Sequence, residues 1–87
     1  MVQGPFEEQV NRVLLNLSEI LIAGGSDLDH VLKFTVYVTN LNNFSLLNNV
    51  FEQYFPQNPP ARSAVQVAAL PLGAEVEIEA VAVLKGA

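Results

Sequence analysis

The feature that most constrains this chain is the stretch 58–82, NPPARSAVQVAALPLGAEVEIEAVA, in which a stiff loop leads into two β-type runs. Pro59 and Pro60 fix their own φ and push the residue before each of them toward extended geometry. Arg62 follows at once, just ahead of a strand expected over 63–68, so its side chain is presented by a rigid loop. A planar guanidinium held this way suits two-point capture of a small carboxylate. The last run, 75–84, alternates strictly. Val76, Ile78, Ala80, Ala82 and Leu84 are assigned to a buried face, and Glu75, Glu77, Glu79, Val81 and Val83 to the other. This reading sets Arg62 beside a carboxylate ladder of Glu75, Glu77 and Glu79; the alternatives are a surface arginine, a structural ion pair to Glu77 and a plain acidic surface.

The residues before this stretch supply the layer that covers it. Gly4-Pro5 followed by Glu7 and Glu8 reads as a helix start. Phe6, Val10, Val13, Leu14, Leu17, Ile20 and Leu21 then form one apolar stripe at helical spacing, ended by Gly24-Gly25. Leu15 and Ile22 fall behind the stripe. Ser26-Asp27-Leu28-Asp29 has capping-box spacing and predicts a short turn. In the strand expected over 31–39, Leu32, Phe34, Val36 and Val38 take one face and Lys33, Thr35, Tyr37 and Thr39 the other. His30, the one histidine, has no serine, cysteine or second histidine near it in sequence and is read as structural or solvated. Asn40 to Asn43 supply turn and cap chemistry. Phe44, Leu47, Val50, Phe51 and Tyr54 mark a second helix that Pro56 ends, with Asn48 at the edge of its buried face. A strand, a helix and a strand in this order predict a parallel pair.

The resulting expectation is one α+β domain over 1–87, with two helices on one face of a three-stranded mixed sheet. Its 87 residues suffice for a small core. There is no cysteine, hence no thiol nucleophile or cysteine metal site. A net charge of −5 argues against a nucleic-acid partner. No apolar run approaches a membrane span, and Met1-Val2-Gln3-Gly4 leads into glutamates rather than a secretory segment. The expected setting is therefore soluble and cytoplasmic, or mitochondrial if an upstream targeting region exists. Counted with glycine, the apolar fraction exceeds the roughly 45–50% of ordinary soluble domains, which points to subunit contacts.

NPPARSAV followed by QVAALPLGAEVEIEAVAV closely resembles the C-terminal signature of the reactive intermediate deaminase (RidA) family. EEQVNRVLLNLSEIL, AGGSDLDHVLKFTVYVTNLNNF and LNNVFEQYF extend the likeness in the family's order and spacing. The resemblance implies a chorismate mutase-like layer and a homo-oligomer, a trimer first and a dimer second, with active sites in clefts between subunits. It also implies an activity: hydrolysis of 2-imino acids such as 2-iminopropanoate and 2-iminobutanoate to the 2-oxo acid and ammonia, without metal or cofactor.

By the same resemblance, Arg62 stands at the family's carboxylate-clamping arginine and Glu77 at its conserved glutamate, suited to positioning or deprotonating water. Asn48 matches a cleft-lining asparagine. Ala64 stands where many members have cysteine or another small residue. The family's early strands, which bring a tyrosine, a serine and a glycine backbone contact to the site, have no counterpart here. Two functions follow as expectations. One is an imine/enamine deaminase; the other is a non-catalytic small-carboxylate-binding or chaperone-like member that keeps the clamp without turnover.

Overall fold

The computed structural model describes residues 5–86, so Gly4 of the expected helix start lies outside the described residues. In chain order the elements are α1 (Phe6–Ala23), β1 (Val31–Val38), α2 (Phe44–Tyr54), β2 (Ala61–Gln66) and β3 (Val76–Ala82), with short 3-10 turns before β1, before α2 and before β3. The sheet order is β2-β1-β3. β1 runs parallel to β2, as a strand-helix-strand unit requires, and antiparallel to β3. Two helices on a mixed three-stranded sheet make this a chorismate mutase-like α+β layer.

The helices pack on one face because both sequence periodicities aim there. Val10 and Leu14 of α1, Leu47, Val50 and Phe51 of α2, and Phe34, Val36, Val38, Val76 and Ile78 of the sheet form one buried cluster. At its centre Phe34 meets Phe51 edge-on at 5.4 Å and Phe55 at 5.5 Å. Such ring pairs add to the burial of large apolar surface. The helix α1 ends where expected, with Gly25 in the left-handed region at φ 92°.

Several details depart from the periodic reading. A bulge between Val31 and Lys33 resets the alternation, so Val31 is buried and Leu32, expected inside, is 57% exposed. Ile20, placed on the stripe of α1, is 67% exposed near the helix end. Leu84, assigned to the buried face, lies beyond the end of β3 and is likewise exposed. The capping residue of the turn after α1 is Asp27, whose side chain accepts from the His30 backbone N–H; Ser26 instead donates its hydroxyl to the Val83 carbonyl, 2.6 Å away. His30 is structural, its ring Nδ1 lying 2.6 Å from Asp27 Oδ1. Asp27 Oδ2 also sits 3.5 Å from Lys85 Nζ, which ties the end of the chain to the same turn.

Candidate active site

Arg62 lies inside β2, one residue past its start, and not in the loop ahead of it. This matters because strand register then fixes its direction. Residues paired across adjacent strands share a face, and Arg62 pairs with Phe34, whose side chain is buried under the helices. The guanidinium therefore points to the helix layer. Its Nη2 donates to Asn48 Oδ1 on α2, and its central carbon sits 4.9 Å from the Phe51 ring centroid and 5.4 Å from that of Phe44. Two aromatic faces and one amide hold the fork in place. That leaves further guanidinium N–H groups to bind a ligand.

The space beside this fork is a cavity of about 400 Å³ lined by Asn48, Phe51, Glu52, Phe55, Pro59, Pro60 and Arg62. One wall is apolar and rigid, from two phenylalanines and two prolines. Partial burial lowers the arginine's pKa below its ordinary value. Among the described residues no carboxylate stands in ion-pair contact with Arg62. A half-buried cation with no anionic partner favours a ligand that brings one.

Glu77 is not in this cavity. It pairs with Tyr37 on the face of the sheet away from the helices, where Glu79 and Val65 also lie. Arg62 and Glu77 are thus on opposite faces of one sheet, which rules out within the protomer the structural ion pair that stood as an alternative reading of Arg62. The ladder is shorter than expected too. Glu75 precedes β3 and turns toward α1, where its Oε1 accepts from Gln9 Nε2 at 2.8 Å and its backbone N–H donates to Gln9 Oε1 at 3.2 Å. Glu79 accepts a hydrogen bond of 2.5 Å from the Tyr37 hydroxyl. This bond, followed by desolvation and the charges of Glu79 and Glu77, raises the phenol's pKa above its ordinary 10.0.

Of the sequence-derived site residues, the structure brings Arg62 and Asn48 together and sets Glu77 apart. Sequence reasoning assigned Phe44 and Phe51 only to the core and passed over Glu52. A signal was present: Phe44, Asn48, Phe51 and Glu52 stand at i, i+4, i+7 and i+8 and so share one face of α2.

Residues 1–84 match the family model described as Endoribonuclease L-PSP. The chain belongs to this family, the one that includes RidA. A Homo sapiens relative named 2-iminobutanoate/2-iminopropanoate deaminase is 47% identical over 83 residues, covering 95% of this chain and 61% of that protein. A solved structure titled a putative endoribonuclease from Thermotoga maritima superposes with a TM-score of 0.92 at 50% identity, covering 99% of this chain and 68% of that one. The E. coli TdcF structure, solved with bound serine, gives a TM-score of 0.89 at 37% identity, with 95% and 68% covered. The chain spans 61–63% of the length of the first curated relatives it matches. Among the described residues no helix is long and apolar enough to cross a membrane.

Proposed function

We propose that this RidA-family chain hydrolyses small reactive 2-imino or enamine acids to 2-oxo acids and ammonia. One observation carries the proposal: Arg62, cradled by Phe44, Phe51 and Asn48, faces a cavity with no protein carboxylate paired to it. Such a fork binds a ligand carboxylate in two-point fashion and fixes the adjacent carbon. The human relative's name, a 2-imino acid deaminase, supports the same substrate class.

In the proposed reaction a water oxygen adds to the imine carbon, and the C=N π pair moves to nitrogen. Glu77 positions that water and accepts its proton. From a protonated imine this leaves a neutral carbinolamine; Glu77 returns its proton to the amine, the hydroxyl loses its proton to solvent as its O–H pair forms the C=O bond, the C–N bond breaks and nitrogen leaves as ammonia. Glu77 cannot serve the Arg62 of its own protomer across the sheet, so the proposed site lies between subunits. A homotrimer, in which the open face of one protomer meets the Arg62 edge of the next, would unite the two groups. Exposed Val65, Val81 and Val83 on or beside that face supply apolar area for such contact.

The separation of Arg62 from Glu77 also favours a second reading, a carboxylate-binding member without turnover. Ammonia release from freshly generated 2-aminoacrylate decides between them. The proposal expects release above the uncatalysed rate, lost in Arg62→Ala. Wild-type release equal to the uncatalysed rate would leave only the binding role.

A further inference from the structure

Glu52 is an unassigned charge in the Arg62 cavity. It stands one helical turn beyond Asn48 on α2 and lines the same cavity of about 400 Å³ as Arg62, Asn48, Phe51 and Phe55. Opposite charges that share a small cavity usually close into an ion pair if they can reach each other. Here they do not: Arg62 gives a hydrogen bond to Asn48, and among the described residues neither Arg62 nor Glu52 has an ion-pair partner. Asn48 and the Phe51 and Phe44 rings hold the guanidinium away, so a cation and an anion face one space that neither fills. The other carboxylates of the candidate chemistry, Glu77 and Glu79, lie on the far side of the sheet.

We propose that Glu52 makes this cavity selective for zwitterions, binding the cationic nitrogen of a ligand whose carboxylate is held by Arg62. The ligand class is a small α-amino acid or a protonated 2-imino acid, with its side chain against Phe51, Phe55, Pro59 and Pro60. A protonated imine carries its positive nitrogen on the carbon next to the carboxylate, the same layout as an α-ammonium group. The 2-oxo acid left after hydrolysis has a neutral oxygen there. Glu52 therefore favours the iminium over the product and assists release. It also stabilises the protonated C=N group, the form more open to water. The serine bound to the E. coli relative is itself a zwitterion.

This inference rests on the Arg62 reading above, and the test separates the two. NMR titrations compare L-alanine, a zwitterion, with propanoate, which has the same carbon skeleton and carboxylate but no ammonium. They are run on the wild type, Glu52→Gln and Arg62→Ala. Glu52 is exposed and is not one of the buried core residues, so its amide variant should fold. Glu52→Gln is expected to weaken L-alanine by about two- to fivefold, the range for a solvent-accessible ion pair, and to leave propanoate unchanged or slightly tighter. An unchanged ratio of the two affinities in Glu52→Gln overturns the zwitterion role while leaving the clamp intact. If neither probe binds the wild type better than Arg62→Ala, the clamp itself fails and this inference with it.

Discussion

Arg62 and Glu77 lie on opposite faces of the same three-stranded sheet, one pointing into the helix layer and the other away from it. Strand register imposes this. Arg62 shares its row with Phe34, and Glu77 shares its row with Tyr37, three positions along β1. An odd offset along a strand reverses the face. No rotamer change within one protomer carries either side chain through the sheet.

The carboxylate clamp predicts a specific loss. Arg62→Ala should weaken pyruvate binding by about 1.5–3 kcal/mol, the range for hydrogen bonds to a charged group. Arg62→Lys should recover only part of this, since an ammonium lacks the planar fork. Calorimetric or NMR titration reads the difference. Equal affinities for wild type and Arg62→Ala would remove Arg62 from the site.

Phe34 is predicted to anchor both fold and site. It is fully buried, contacts the rings of Phe51 and Phe55, and pairs in register with Arg62. Phe34→Ala should cost about 3–5 kcal/mol of stability, read as a lowered denaturation midpoint. A cost under about 1 kcal/mol would mean that the cavity collapses or the core is not packed as described.

Much of this fold was legible in the sequence because periodicity reports burial directly. Phe34, Val36 and Val38 alternate with Thr35 and Tyr37, and both the buried face of β1 and the parallel order of β1 and β2 follow. The errors cluster where a local event breaks the period. Leu32 fell on the wrong face because a bulge adds a residue that no alternation rule anticipates. Glu75 left the ladder because Gln9, distant in sequence, offered both a donor and an acceptor. Arg62 stood out from its proline context and its family resemblance. Its aromatic cradle did not, because Phe44 and Phe51 reach it only after α2 packs across β2.

On the open face, Tyr37 should titrate late. Its bond to Glu79 stabilises the neutral phenol, so its folded pKa lies above 10.0. The associated stability is fully present below pH 10 and is lost as pH rises through the folded value. Tyr54 is also raised, by burial. Ultraviolet titration should therefore show both tyrosines ionising above pH 10. Glu79→Gln should shift one of them down and leave the other in place. An unchanged titration curve would deny the Tyr37–Glu79 contact.

Assembly is predicted from the same face. Val65, Val81 and Val83 are 43%, 54% and 42% exposed in the protomer, and burying such side chains against another subunit is favourable. Sedimentation equilibrium should find a closed oligomer, a trimer first, and Val81→Asp should weaken it. A folded monomer at high micromolar concentration would contradict this.

The most direct test of a site shared between subunits is complementation. Arg62→Ala and Glu77→Gln should each be nearly inactive alone in ammonia release from 2-aminoacrylate. Co-expressed in equal amounts, they should form mixed oligomers in which about one quarter of the inter-subunit sites pair an intact Arg62 with an intact Glu77, as random assembly in a ring requires. The account predicts recovery of roughly that share of wild-type activity. Mixed oligomers no more active than the single variants would contradict it.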